Sequence, residues 1–313
     1  MTIDKKFIDL FINVSSKAAL ASYYLVGKKD KISADKAAVD SMRIELNKLD
    51  INGEIVIGEG ELDEAPMLYI GEKLGTLKGP HFDIAVDPLE GTNFAANNLP
   101  GALSVIAIAE RNNLFNAPET YMDKISSNIN EDGVVDLDFS IKKNIQNLAD
   151  FKNKKPENLK VCILDRPRHK GIIDELKNLK VNLKLITDGD VSGALLVTNE
   201  KYGVDLFLGI GGGPEGVLAA SALDAFNCNF QGRFIFKTDE DKLRARKMGI
   251  KELDKKYELK EIISGDSIFC ATGITTGDLV SGISINNNEF TSETLITHKS
   301  SNLKKIIKLT QKI

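Results

Sequence analysis

Three segments in the second half of the chain share one pattern. KVCILDRPRHK from Lys160, VNLKLITDGDVSG from Val181 and VDLFLGIGGGPEG from Val204 each run from an apolar stretch into a polar or glycine-rich turn and then into helically spaced residues. A short apolar run followed by turn chemistry reads as a buried strand, and strands alternating with helices form a layered α/β class. In such sheets small molecules bind at the carboxyl ends of the strands. Arg166, Arg168, Asp188, Asp190 and Glu215 all sit in those turns and are candidates to converge. GIGGGPEG is no dinucleotide fingerprint, because Pro214 takes the last glycine place of a GxGxxG count from Gly209 and no GKS or GKT follows. A backbone-amide cradle for phosphate and a plain tight turn both remain open there.

A second constraint is FDIAVDPLEGTNF, residues 82–94. Phe82, Ile84, Ala85 and Val86 read as a short buried strand, and Pro88, which has no N–H to give to a ladder, is expected to end it. Asp87 and Glu90 then leave the strand with Gly91 and Thr92, so a tight turn could gather two acids and a hydroxyl. Hard oxygen ligands beside a hydroxyl suit a divalent cation and a polarised water. A strand-end turn with solvated acids is the plain alternative. Upstream, EIVIGEGELDEAP reads as a strand at Ile55 to Ile57 running into Glu59, Glu61, Asp63 and Glu64. Unit charges ~4 Å apart repel by on the order of 4 kcal/mol at an effective dielectric of about 20, so these acids either splay into water or are held by cations. The glycines on both sides of Glu59 favour a constrained loop with one inward acid.

Composition narrows the chemistry. The 313 residues carry 41 Lys and Arg against 45 Asp and Glu, a net charge of −4, which gives no electrostatic case for nucleic acid. Only His81, His169 and His298 are present, so a bound metal must rely on oxygen ligands. Cys162, Cys228 and Cys270 lie apart in apolar runs and read as buried free thiols of a reducing compartment. MTIDKKFIDLFINV is interrupted by Asp4 and Asp9, unlike a signal peptide, and no window approaches a membrane span. A cytoplasmic, soluble protein is expected, with no membrane partner.

Phe7, Leu10, Phe11, Val14, Ala18, Ala21 and Leu25 predict an amphipathic helix closed by Gly27. Val39, Met42, Leu46 and Leu49 predict a second, with Ser33 as N-cap and Asp35 in its first turn. LSVIAIAE reads as a strand, NAPETYMDK as a loop bearing Tyr121, and VVDLDFS as a candidate strand in the weakly patterned stretch 126–158. The lobe boundary is placed there, giving lobes 1–155 and 156–313, and a hairpin is expected around Asn286 to Asn288.

Taken in order, GEGELDEAPMLYIGE, DPLEGT, NAPETYM, RPRH, DGD, GGGPEG and ATGITTGDL resemble class II, GlpX-type fructose-1,6-bisphosphatases along nearly the whole chain. That family lies within the lithium-sensitive, metal-dependent phosphatases that include inositol monophosphatases. The resemblance implies an α-β-α-β-α sandwich of the sugar and inositol phosphatase type, in two lobes. It implies two or more divalent ions, Mn²⁺ or Mg²⁺, on Asp35, Glu59, Asp87, Glu90 and Glu215. Substrate contacts fall on Glu90, Gly91, Thr92, Tyr121, Arg166, Pro167, Arg168, Asp188, Gly189, Asp190 and Gly212, and Thr92, Asp63 and Lys31 fall at the scissile phosphate. Where relatives carry lysine this chain has Arg166, which keeps the charge but changes how a phosphate is gripped. The implied reaction removes the 1-phosphate of fructose-1,6-bisphosphate in gluconeogenesis, by a homo-oligomer of two or four chains. The alternatives are a bifunctional enzyme that also takes sedoheptulose-1,7-bisphosphate, and an inositol-monophosphatase-like phosphatase. The last is expected to carry a WDxAAG-like motif, which a chain without tryptophan lacks.

Overall fold

The computed structural model describes residues 2–58 and 68–313. The chain forms two compact units, Met1–Asn116 with Ile263–Ile313, and Ala117–Ile262. The first opens with α1 (Lys6–Tyr23), α2 (Lys31–Asn47), β1 (Asn52–Ile57), β2 (Lys73–Leu74), β3 (His81–Glu90), α3 (Thr92–Ala96) and β4 (Leu103–Glu110). The second contains β5 (Tyr121–Ser127), α4 (Ile141–Phe151), β6 (Lys160–Leu164), α5 (Lys170–Asn178), β7 (Asn182–Ile186), α6 (Asp190–Leu195), β8 (Leu206–Gly212), α7 (Gly213–Ala225), β9 (Asn229–Ile235), α8 (Asp239–Lys247), β10 (Lys256–Glu258) and α9 (Leu259–Ile262). The chain then returns to the first unit with β11 (Ser267–Gly273), β12 (Ser284–Asn286), β13 (Glu289–His298) and β14 (Leu303–Lys312).

The first unit is built on an eight-stranded sheet, ordered β12-β13-β11-β4-β3-β1-β2 with β14 on β13. Only the β1 and β3 pair is parallel. Phe7, Phe11 and Val14 of α1 and Val39, Met42 and Leu46 of α2 share a core with Ile84, Val86, Ile106 and Ile108 of the sheet. Each fully buried side chain of this size contributes about 1.5–3 kcal/mol of transfer free energy. Leu10, expected in the buried stripe of α1, faces water instead.

The start of α2 differs from the sequence expectation. Asp30, in extended conformation, is the N-cap and accepts from the Ser33 N–H at 3.0 Å, while the Ser33 hydroxyl donates to the second Asp30 oxygen at 2.6 Å. Ser33 and Asp35 are therefore inside the helix, because an aspartate three residues before a serine competes better for the orphan amides. The predicted hairpin is present, with Asn286 opposite Glu289 and left-handed Asn287 and Asn288 making the two-residue turn.

The second unit has a six-stranded sheet, β10-β9-β5-β8-β6-β7. β7, β6 and β8 run parallel, whereas β8, β5, β9 and β10 are antiparallel neighbours. Its core joins Ile125, Val161, Ile163, Leu206 and Leu208 of the sheet to Ile145 and Leu148 of α4 and Ile173 and Leu176 of α5. VVDLDFS forms no strand: Asn144 of α4 closes on Asp136, accepting its N–H at 2.8 Å and donating to its carbonyl at 2.9 Å. Those side-chain bonds satisfy the backbone that a ladder would otherwise have used. Tyr121, expected in a loop, is the first residue of β5.

The boundary expected at residues 155 and 156 falls inside the second unit, and residues 263–313 complete the first. β11 pairs with β4 from Ser267 opposite Ala109 to Gly273 opposite Leu103, a long-range register that no local pattern announces. The mixed α/β class and the buried free thiols of Cys162, Cys228 and Cys270 agree with the sequence reading. No described helix is long and apolar enough to cross a membrane.

Candidate active site

In the first unit the acids stand at an irregularity in β3. The strand does not stop at Pro88 but continues to Glu90, its register slipping between Asp87, opposite Val105, and Glu90, opposite Leu103. Pro88 and Leu89 thus face the single residue Ser104, a β-bulge in which a residue without an N–H is tolerated. The slip decides which way the acids point. Residues three apart on a regular strand project from opposite faces, but Val105 and Leu103 share a face of β4, so their partners Asp87 and Glu90 share one too. Asp87 is half-buried and Glu90 is 3% exposed.

Gly91 follows in the left-handed region at φ 78° and turns the chain into the short helix α3, whose first residue is Thr92. A side chain is excluded there twice over, since a Cβ would also stand 2.8 Å from the Phe94 ring. The segment before α2 is stapled to α3, with the Gly27 N–H donating to Ala95 O and the Lys29 N–H to Ala96 O, both at 2.9 Å. Ala34 and Ala38 of α2 pack in one cluster with Leu89, Phe94 and Ala95. Lys31, exposed at the first position of α2, and half-buried Asp35 are therefore carried by an element docked on the same apolar cluster as Glu90 and Thr92.

In the second unit the predicted residues lie at the ends of β6, β7 and β8. β6 pairs with β8 only as far as Cys162 opposite Phe207, which leaves Ile210 free to bind the turn after β6. The Ile210 N–H donates to His169 Nε2 at 2.7 Å, and its carbonyl accepts from Arg168 Nε at 2.8 Å. His169 Nδ1 donates in turn to Leu164 O at 2.6 Å. One ring thus fastens the Arg166-Pro167-Arg168 turn to two strands, and its burial pushes the imidazole pKa down, favouring the neutral form that these bonds require. Arg166 pairs with Asp188 at 3.5 Å, and left-handed Gly189 leads to Asp190 at the start of α6.

Lys124 of β5 organises the rest. Only 2% exposed, its ammonium forms an ion pair with Asp190 Oδ2 and donates to the Gly212 carbonyl at 2.7 Å. Two glycines let the acids lie against the end of β8: a Cβ on Gly211 would stand 1.9 Å from Asp190 Oδ2, and one on Gly212 1.8 Å from Glu215 Oε2. Glu215 sits in the first turn of α7. Burial pushes its pKa up and the charges of Asp190 and Asp188 push the same way, while Lys124 pulls it down. Asp190 Oδ1, also buried, has no hydrogen-bond partner among the described residues.

The structure therefore groups Lys31, Asp35, Asp87, Glu90, Gly91 and Thr92 in the first unit, and Tyr121, Arg166, Pro167, Arg168, Asp188, Gly189, Asp190, Gly212 and Glu215 in the second. Glu59 and Asp63 lie outside the described residues. Among the described residues no three His, Cys, Asp or Glu side chains form a ready metal cage. Lys124 and His169 were missed by sequence reasoning. The signal for Lys124 was a lysine at an inward position of YMDKISS; His169 stood in RPRH without a role.

Comparison with known proteins agrees with these motifs. Residues 6–311 match the family described as bacterial fructose-1,6-bisphosphatase, glpX-encoded. Fructose-1,6-bisphosphatase 1 class 2 of Escherichia coli strain K12 is 42% identical over 311 residues, covering 95% of this chain and 92% of the relative. A D-fructose 1,6-bisphosphatase class 2/sedoheptulose 1,7-bisphosphatase of Prochlorococcus marinus strain MIT 9303 is 40% identical over 295 residues, covering 90% and 88%. Among solved structures, an IMPase of Thermotoga maritima overlaps 62% of this chain and 72% of its own at 16% identity and a TM-score of 0.33. An inositol monophosphatase-fructose 1,6 bisphosphatase overlaps 63% and 73% at 13% identity and 0.36. By sequence over nearly its whole length, the chain belongs to the GlpX-type, class II fructose-1,6-bisphosphatase family.

Proposed function

We propose that this protein is a metal-dependent phosphatase that hydrolyses the 1-phosphate of fructose-1,6-bisphosphate, releasing fructose-6-phosphate and phosphate in gluconeogenesis. The observation that carries the reading is the β3 bulge, which turns Asp87 and Glu90 to one face immediately before Thr92 in a chain matched to this family over residues 6–311. The donor set suits a hard divalent ion, because every position is a carboxylate and half-buried Glu215 feels the charges of Asp188 and Asp190 with Lys124 as the opposing charge. Asp35, Asp87, Glu90 and Glu215, with Glu59, would hold Mn²⁺ or Mg²⁺, two or more ions in all, and lithium should inhibit by competing for one position. When bound, such ions offset the charge of the phosphate and lower the pKa of water.

The chain's own groups supply position. The Thr92 hydroxyl orients the attacking water, with Asp63 and Lys31 beside the scissile phosphate; water adds to phosphorus as the bond to the sugar oxygen breaks and that oxygen takes up a proton. Arg166 and Arg168 grip the non-reacting phosphate, and Asp188 and Asp190 accept from sugar hydroxyls. The unpartnered Asp190 Oδ1 supports that role, since a buried acceptor gains most from a ligand that completes it.

The bifunctional relative of Prochlorococcus supports a second reading, activity on sedoheptulose-1,7-bisphosphate as well. The buried thiols support a cytoplasmic setting, and a dimer or tetramer is expected, which light scattering would check. The deciding experiment measures phosphate release from both bisphosphates and from inositol monophosphate, with Mn²⁺ and with Mg²⁺. Fructose-1,6-bisphosphate should be turned over and chelation should abolish it. Full activity after exhaustive EDTA treatment would overturn the metal mechanism.

A further inference from the structure

We infer that Lys237, which the family resemblance leaves without a role, is a third cation for the non-reacting phosphate and so a specificity residue of the proposed reaction. The inference rests on the functional reading above and deepens it.

The placement follows from strand geometry. Ile235, the last residue of β9, stands opposite Tyr121, the first of β5. Lys237 lies two residues beyond that end of β9 and its ammonium comes over the Tyr121 ring. Both ends of this stretch are pinned. The Thr120 hydroxyl donates to Ile235 O at 2.6 Å, and the Lys237 N–H donates at 3.2 Å to Asp241, the acid of the capping box that opens α8. Lys237 Nζ lies 4.3 Å from the centroid of the Tyr121 ring, and Arg168 Cζ lies 5.0 Å from the same centroid.

Two cations on one aromatic ring repel each other, and the ring only partly compensates. Elsewhere in this half-site the positive charges are answered, Arg166 by Asp188 and Lys124 by Asp190. Among the described residues no carboxylate lies within ion-pair distance of the Lys237 ammonium or the Arg168 guanidinium; the nearby Asp241, whose charge acts on Lys237, has its oxygens taken by the Lys237 and Thr238 N–H groups and by Arg244. Arg168 spends Nε on Ile210 O, which fixes the guanidinium and leaves its terminal nitrogens to donate. The missing partner is an anion with several acceptor oxygens, and a phosphate monoester dianion has both the charge and the acceptors. A substrate without a second phosphate offers this pair of cations no such anion.

Steady-state kinetics on the full chain with saturating divalent metal tests the assignment. Lys237→Met should raise KM for fructose-1,6-bisphosphate about tenfold with kcat within about twofold of wild type. The inhibition constant for fructose-6-phosphate, which carries only the distal phosphate, should rise in parallel. Lys237→Arg should restore both. Lys247→Met, on α8 and away from Tyr121, should change neither. An unchanged KM for Lys237→Met, or a fall in kcat at constant KM, would overturn the role of Lys237 while leaving the function standing. A wild-type chain that fails to release phosphate from the bisphosphate would instead overturn the functional reading itself.

Discussion

The two groups of candidate site residues are held by different means. In the first unit Asp87, Glu90 and Thr92 are aimed by backbone: a bulge corrects the strand parity, a left-handed glycine turns the chain, and an apolar cluster seats α2 against α3. In the second unit Asp190 and the Gly212 carbonyl are held by the charge of one buried side chain, Lys124, and two glycines admit the carboxylates to the end of β8. Backbone devices tolerate the loss of a functional side chain, because nothing else depends on it. A buried charge network does not, since deleting one member strands the other in a medium that cannot solvate it.

The largest effect expected from this contrast is on stability. Lys124→Met should destabilise the protein by about 3–5 kcal/mol in chemical denaturation, the cost of leaving Asp190 buried and uncompensated. Adding Asp190→Asn should recover most of that loss. A single variant as stable as wild type would show that the second site is not part of its unit's structural core. Next comes Thr92→Ala, where the contrast predicts the reverse: kcat should fall about 10²-fold or more, while the melting temperature hardly moves. Thr92→Ser keeps the hydroxyl and should retain much of the activity. If alanine turns over like wild type, Thr92 is only a helix-start hydroxyl. The smallest effect sharpens the comparison at the entrance to α2. Asp30→Ala should lower stability measurably by removing the N-cap, and Asp30→Asn should restore most of it. A larger loss from Ser33→Ala than from Asp30→Ala would return the cap to Ser33.

Local rules served well wherever structure is decided locally. Strands β1, β3, β4, β6, β7 and β8, the turns at Gly91 and Gly189, and the Asn287-Asn288 hairpin turn were legible because alternation and positive-φ residues act within a few positions, whereas β5, taken for a loop, and β9 were not. Errors fell where a distant partner intervened. Pro88 ends a strand in isolation, but the pairing of β4 on either side of it makes a bulge cheaper than a stop. VVDLDFS has strand composition, yet Asn144 reaches back and takes its polar backbone groups. Most candidate positions came from ordered motifs; Lys124 did not, because a lysine within an apolar-rich strand acquires meaning only when Asp190, far along the chain, closes on it.

The long excursion between β4 and β11 bears on how the chain is made. The two sides of that excursion meet at Leu114 and Ile263, and the strands on either side pair directly. As the polypeptide leaves the ribosome, Ala117–Ile262 is complete while the first sheet still lacks β11, β12, β13 and β14. Until β11 emerges, β4 is an exposed edge, apolar from Leu103 to Ala109 except for Ser104, on a nascent protein. Translation order therefore sets a window of aggregation risk that opens with β4 and closes only when the last strands are synthesised.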